Sequence, residues 1–161
     1  MFTCLAAMLT SVVLTIPPQA DNHDMDFWLG KWTGTGKSYG PNNQVSDTKC
    51  ENSITKDFDG HVIHEHFKGG GLTGESWSVW VPGRKKWCQT WVDNQGGYIP
   101  LNGEKVGEAV VLTTIHLPEA TAYNRMVFKN IQKKQFDWDW EATSDGGKTW
   151  QPKWQIHYVR K

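Results

Sequence analysis

The chain carries no excess of charge of either sign: 17 basic and 17 acidic side chains leave it formally neutral. A neutral domain presents no electrostatic footprint for a phosphate backbone, which argues against a nucleic-acid partner. Cysteine is scarce, with only Cys4, Cys50 and Cys88 in 161 residues, so the chain is no disulfide scaffold. None is needed, because a domain of about 140 residues buries roughly two-thirds of its extended surface. Sustained helical periodicity is missing throughout, which excludes a helical bundle. There is no phosphate-binding P-loop, no nucleophile elbow and no metalloprotease helix, so the familiar sequence routes to nucleotide, ester or peptide hydrolysis are closed.

Acidic and basic side chains are also lacking from Met1 to Ala20, where Cys4–Ile16 is largely apolar and Pro17-Pro18-Gln19-Ala20 follows. That apolar core is too short for a transmembrane helix. Residues 1–20 are expected to be a signal peptide cut near Ala20, although no Lys or Arg precedes the core; a buried N-terminal helix is the other reading. A single domain is then expected over 21–161, periplasmic or secreted, with no stable membrane span after cleavage. An oxidising compartment permits a Cys50–Cys88 disulfide, but the two cysteines are expected on non-adjacent strands.

What is present is short alternating segments separated by turns. Asp26-Phe27-Trp28-Leu29 is a short lead-in turn. In Gly30-Lys31-Trp32-Thr33-Gly34-Thr35-Gly36, Lys31, Thr33 and Thr35 take the wet face, and Trp32, Gly34 and Gly36 the inner one. Glycines on an inner face permit close approach and sharp bending, as at the start of a closed barrel. Further strands are expected at 48–56, 61–68, 75–81, 86–93, 98–101, 108–116, 123–131, 136–143 and 149–160. About ten strands at close spacing, each beside the next, predict an all-β fold: an antiparallel up-and-down barrel.

Period-two alternation sorts the side chains. Ile63, Glu65 and Phe67 are expected inside, with His64, His66 and Lys68 outside. The tryptophan face of 86–93 (Trp87, Gln89, Trp91, Asp93) is expected inside, and so are Trp138 and Trp140, with Asp137, Asp139 and Glu141 outside. Ser76, Ser78 and Trp80 are taken inward. On the last strand Trp150, Trp154, Ile156, Tyr158 and Arg160 share the inner face, which leaves His157 outside. The interior then combines tryptophans with Asn52, Glu65, Ser76, Ser78 and Gln89.

Gly30-Lys31-Trp32 near the first strand's start, with Arg160 closing the last strand, resembles the calycin superfamily, which includes the lipocalins. The resemblance implies that Trp32 plugs one barrel end with Arg160 lying across it, a cation–π pair. Phe27-Trp28-Leu29-Gly30, Trp87-Cys88-Gln89-Thr90-Trp91-Val92-Asp93 and Asp145-Gly146-Gly147-Lys148-Thr149-Trp150 are similar to an uncharacterised family of exported bacterial proteins with a lipocalin-like barrel; that implies fold and export, and no activity. Gly30-x-Trp32-x-Gly34-x-Gly36 also resembles the opening of nitrobindins, ten-stranded haem barrels with a late-strand His ligand. His157 is the residue in question, and its outward position counts against haem; no cofactor is expected. Thr143-x-Asp145-x-Gly147-x-Thr149-Trp150 resembles the Asp-box hairpin of sialidase-type propellers. With one copy it implies a rigid hairpin in which Asp145 ties the turn and Trp150 packs beneath it.

Three readings of function follow. In the first, Asn52, Glu65 and Gln89 meet the polar end of a small, flat, mostly apolar ligand while Trp80, Trp91, Trp138, Trp140 and Tyr158 hold its body, with Ser76 and Ser78 alongside. The alternative is a filled core whose polar groups satisfy one another. In the second, Glu65 acts as an acid or base of an isomerase- or lyase-type enzyme, its pKa raised by burial; no partner nucleophile is identifiable. The third is haem binding. Two metal positions are also written in the sequence. His64 and His66, two apart on one face, either hold a metal on the outer wall or form a solvated polar face. The other position is His23. A chain beginning Asp21-Asn22-His23 offers an amine, two amides and an imidazole, a square-planar set for Cu(II) or Ni(II). Where N-terminal sequencing finds Asp21 first, one equivalent of Cu(II) is expected to give a violet band that His23→Ala abolishes; no band with that start refutes the site.

Overall fold

The computed structural model describes residues 22–161, so the signal-peptide reading and its cleavage point lie outside the described residues. Ten strands follow a 3-10 turn at Asp26–Trp28: β1 (Gly30–Tyr39), β2 (Val45–Asp57), β3 (Val62–Gly69), β4 (Leu72–Val81), β5 (Lys86–Asp93), β6 (Tyr98–Val106), β7 (Ala109–Thr114), β8 (Tyr123–Lys129), β9 (Gln135–Thr143) and β10 (Gln151–Arg160). Each pairs antiparallel with the next, and β1 closes onto β10. This is a closed ten-stranded up-and-down barrel, which leaves no sheet edge. No helix among the described residues is long and apolar enough to cross a membrane.

The strand ends depart from expectation where turn chemistry lies. β2 begins at Val45 and β4 at Leu72, earlier than expected, while β6 continues past Leu101 to Val106 because Asn102 and Gly103 pair with Thr113 and Leu112. β8 stops at Lys129, since Asn130 adopts a left-handed φ of 51° that breaks the ladder. The turn at 58–60 likewise holds Phe58 and Asp59 at positive φ.

The β1–β10 seam explains the first strand's glycines. A side chain at Gly34 would collide with Cys50 Sγ and stand 2.6 Å from Ile156 Cγ2 and 2.9 Å from the Tyr158 ring. Gly30 sits at φ +119°, and a Cβ there would strike the Arg160 guanidinium. These omissions let Trp32 and Arg160 close one end. Trp32 is fully buried, its Nε1 donates to the Trp28 carbonyl at 2.7 Å, and Arg160 Cζ lies 4.1 Å over its ring. The same guanidinium donates to the carbonyls of Leu29 (2.7 Å), Phe27 (3.1 Å) and Lys133 (3.0 Å). It thus ties the lead-in turn and the β8–β9 turn to the end of the chain.

Alternation placed most side chains correctly. Ile63, Glu65 and Phe67 are buried inside, and His66 and His157 are exposed outside. Cys50 is buried within and Cys88 lies on the outer wall of a non-adjacent strand; both are free. One placement is corrected. Trp150 is not on the inner face: the register slips between Pro152 and Trp154, so one extra residue reverses the parity. Trp150 packs outside instead, with Arg125 Cζ 3.9 Å over its ring and Tyr123 edge-on at 5.5 Å. Asp139 is on the outer wall as expected but only 3 % exposed, covered by Lys129, which forms an ion pair with it, and by Gln155 Nε2 at 3.3 Å.

The β9–β10 turn is the rigid hairpin its sequence resembles. Asp145 Oδ1 accepts from the amides of Lys148 (3.0 Å) and Thr149 (2.9 Å), Oδ2 accepts from Thr149 Oγ1 (2.6 Å), and Trp150 Nε1 donates to the Gly147 carbonyl. These donors, the Thr149 hydroxyl first, hold the Asp145 carboxyl down to about 2.

Trp32→Ala removes the plug and is expected to destabilise the fold by roughly 3–5 kcal/mol. Urea unfolding reads the loss, and a midpoint close to wild type would show that Trp32 does not carry the closed end.

Candidate functional site

One end of the barrel is sealed and the other is not. Inside lies a cavity of about 150 Å³, running from Trp28 at the plug, past Asn52, Glu65 and Tyr158, to Leu72 and Asp93 near the opposite rim. Its middle is a ring of aromatics. Phe67 stands edge-on to Trp91 (6.0 Å) and to Trp154 (5.5 Å), Trp154 is edge-on to Trp138 (5.9 Å), and Trp138 and Trp140 lie nearly parallel at 6.5 Å. Trp91, Trp138, Trp140 and Trp154 face inward yet are only half-buried. Solvent therefore reaches the wall from within.

Period two in each strand delivers this lining. Asn52, Phe67 and Trp91 follow from β2, β3 and β5, and Trp138, Trp140, Trp154 and Tyr158 from β9 and β10, paired as Trp154 with Trp140 and Ile156 with Trp138. Asp93 is turned to local use: Oδ2 accepts from Trp91 Nε1 at 2.8 Å, and Oδ1 accepts from the amides of Gln95 and Gly97, both at 2.9 Å. That fixes one edge of the Trp91 indole beside the rim.

Glu65 is the charged group of this interior. Asn52 Nδ2 donates to Oε1 and Ser76 Oγ to Oε2, each at 2.6 Å. Burial is the main influence and pushes the carboxyl above its ordinary value; the bonds from Ser76 and Asn52 offset part of it. Gln89, grouped with Asn52 and Glu65 as the polar end of the site, donates its Nε2 to Ser78 Oγ at 2.9 Å, on the next pair of rungs. Burial also raises the Cys50 thiol and, well above its usual value, the Tyr158 phenol; Cys50 Sγ donates to Tyr158 Oη at 3.6 Å.

Of the predicted ligand-binding residues, Asn52, Glu65, Trp91, Trp138, Trp140 and Tyr158 line the cavity. Ser76, Ser78 and Gln89 face inward and are buried, forming wall behind the lining, and Trp80 packs on Trp87 at 5.9 Å. Sequence reasoning missed Trp28, Leu72, Ile99, Met126 and Asp93 as lining. Alternation along β6 and β8 carries the signal for Ile99 and Met126, but nothing local says how deep each rung sits. Three buried polar atoms on this lining have no hydrogen-bond partner among the described residues: the acceptor Asn52 Oδ1 and the donors Trp28 Nε1 and Trp154 Nε1.

The remaining candidates lie elsewhere. His157 is exposed on the outer wall with Nδ1 2.6 Å from Asp137 Oδ1, on the side of β10 away from the cavity. His23 lies at the edge of the described residues, with Nδ1 2.7 Å from Asp26 Oδ2, an ion pair that a metal chelate there would have to open.

No protein-family model matches the chain, and no curated protein matches it. Two solved structures share its fold. A protein of unknown function from the DUF3598 family of Nostoc punctiforme PCC 73102 is 12 % identical with a TM-score of 0.56, over 85 % of this chain and 49 % of that one. The chain thus spans about half that protein's length. Rv2717c of M. tuberculosis is 13 % identical with a TM-score of 0.58, over 86 % of this chain and 97 % of that one. At this identity the likeness shows the barrel alone: coarsely lipocalin-like, and shared with proteins of unknown function.

The raised Glu65 pKa has a consequence for stability. The folded state holds the proton more tightly than the unfolded chain, whose glutamate titrates near 4.3. The folded state is therefore favoured below that pH and loses ground as pH rises toward the folded value. Glu65→Gln mimics the protonated acid, so its stability relative to wild type is expected to increase above about pH 4.3, by up to about 1.4 kcal/mol per pH unit. Urea unfolding at pH 4 and pH 8 checks this; an equal difference at both would show that Glu65 ionises freely in the fold.

Proposed function

We propose that this is an exported binding protein, periplasmic or secreted, for a small, flat, mostly apolar molecule held in the aromatic cavity. One observation carries the reading: the tryptophan-lined cavity presents a buried acceptor at Asn52 and two buried indole donors at Trp28 and Trp154 that have no partner among the described residues. Buried polar groups are normally satisfied, and a ligand with a hydroxyl or ring N–H at one end and an acceptor elsewhere would satisfy these. The volume bounds its size. Drug-sized ligands occupy pockets of roughly 300–1,000 Å³, whereas an apolar cavity of about 150 Å³ suits a single aromatic ring. The class is therefore one- or two-ring aromatics. Export rests on the apolar, uncharged stretch before Ala20, and membership of the exported lipocalin-like family on Phe27-Trp28-Leu29-Gly30, Trp87-Cys88-Gln89-Thr90-Trp91-Val92-Asp93 and Asp145-Gly146-Gly147-Lys148-Thr149-Trp150.

The second reading, a barrel enzyme, is favoured by one feature: a buried Glu65 whose proton is held above its ordinary pKa inside an aromatic site, fit to act as an acid or base toward a bound carbon acid or enol. Haem binding would require an axial ligand other than His157, and a Soret band in freshly purified protein would reveal it.

Phenol, indole and 2-naphthol serve as probes. Each is expected to bind the native protein saturably, read by calorimetry and by tryptophan quenching. Trp91→Ala should alter the affinity, and Leu72→Trp, which fills the rim, should weaken it at least about tenfold. Absence of saturable binding by all three, or binding indifferent to Leu72→Trp, would refute the pocket.

A further inference from the structure

The outer wall carries a cluster that the cavity does not use. β3 turns His64 and His66 outward, and β4 turns Glu75 toward them, directly opposite His66 and diagonal to His64. Glu75 Oε2 is 3.1 Å from His64 Nε2, and Glu75 Oε1 is 3.3 Å from His66 Nδ1. One ligand atom from each of the three residues lies within 4.8 Å of the others. Tetrahedral donors around an ion with bonds of about 2.0–2.2 Å stand roughly 3.3–3.6 Å apart; the Glu75 carboxylate already stands near that distance from each imidazole, through Oε2 to His64 and through Oε1 to His66. Rotations of half-exposed His66 and Glu75 can bring one oxygen and both nitrogens to that spacing.

The surroundings hold His64 in a ligand's pose. Asp57 Oδ2 lies 2.9 Å from Nδ1, and Trp77 stacks on the ring at 4.7 Å with planes 24° apart. His64 is thereby the least exposed of the three, 14 % against 48 % for His66 and 44 % for Glu75. A neutral imidazole has one N–H and one lone pair. With the N–H given to Asp57, Nε2 turns its lone pair toward the Glu75 carboxylate, and two electron-rich atoms face each other at 3.1 Å. A metal ion bound between them satisfies both atoms, and the second imidazole stands with its centroid 4.1 Å from the first, within reach of the same ion. A carboxylate on the far nitrogen of a histidine is also the usual support of a metal-ligating imidazole, because it sets the tautomer and raises the basicity of the free nitrogen.

We propose that His64, His66 and Glu75 form a binding site for a divalent transition-metal ion of the Zn(II) class, with Asp57 as the positioning residue and water completing the coordination. Two nitrogens and one carboxylate oxygen suit zinc, cobalt or copper over calcium or magnesium, which take oxygen ligands. The site stands on the face of β3 and β4 opposite to the cavity. It shares no ligating residue with the cavity and is independent of what the cavity holds.

The test is a Zn(II) titration of the full chain in competition with a chromophoric chelator, repeated with Co(II), whose visible bands report its coordination. One equivalent of Zn(II) is expected to bind, with Co(II) bands of a tetrahedral or five-coordinate nitrogen–oxygen site and no competition from excess Mg(II) or Ca(II). His64→Ala and Glu75→Gln should each weaken binding at least about tenfold, and Asp57→Asn about 10–100-fold while preserving the stoichiometry. His23→Ala and His157→Ala should leave the tight site intact. The proposal is overturned if the folded wild-type protein binds no zinc at chelator-competitive strength. It is equally overturned if binding survives His64→Ala and disappears with His23→Ala, which would place the ion at the amino terminus.

Discussion

The barrel depends on the closure of its first strand against its last. Ten strands have to bring residues more than a hundred positions apart into register, and the contact that holds them is Arg160 lying across Trp32. That guanidinium spends its donors on backbone carbonyls at Phe27, Leu29 and Lys133. Its charge is solvated by oriented dipoles, with no carboxylate partner among the described residues, while its flat face stacks on the indole. The close approach is possible only because Gly30 and Gly34 carry no side chain where the guanidinium, Cys50, Ile156 and Tyr158 need the space.

A sealed end makes the other end matter. With Trp28, Trp32 and Met25 buried at the plug, the cavity has one direction in which to open, and the half-exposure of the inward-facing Trp91, Trp138, Trp140 and Trp154 shows where it does. The barrel wall therefore divides its polar groups into two kinds. Ser76, Ser78 and parts of Asn52 and Gln89 form short hydrogen-bond pairs within the wall. Among the described residues Asn52 Oδ1, Trp28 Nε1 and Trp154 Nε1 lack a partner and border the cavity, and Gln89 Oε1 lacks one inside the wall. Glu65 bridges the two sets: it is held by the wall, yet lines the cavity, with burial raising its pKa.

The two faces of β3 show how one strand can serve two chemistries. Glu65 and Phe67 look into the barrel and His64 and His66 look out, with only the thickness of the sheet between them. Period-two geometry makes such neighbours in sequence strangers in space. A change at Glu65 is thus felt across β2 and β4 at Asn52 and Ser76, and one at His64 at Asp57, Glu75 and Trp77.

Much of this was written in the chain. Strand number, antiparallel order and the inward set of β3, β5 and β9 follow from alternation and turn residues, since both are local and each strand obeys one rule, while the plug and the tight hairpin at Asp145 were implied by resemblance to known families. The reading that failed depended on something non-local. Trp150 was misplaced because a single extra residue near Pro152 reverses the parity, and a bulge is visible only against the partner strand. Asp139 points outward as alternation requires, yet Lys129 and Gln155 from the neighbouring strands cover it, which alternation does not foretell. The register between β3, β4 and β5 likewise sets Ser76 opposite Glu65 and Ser78 opposite Gln89. The sequence by itself thus determined which side of the wall most side chains occupy, because that is a property of one strand. Only the tertiary structure decided which side chains share a rung, how deep each lies and where a cavity is left, because those follow from the stagger between strands.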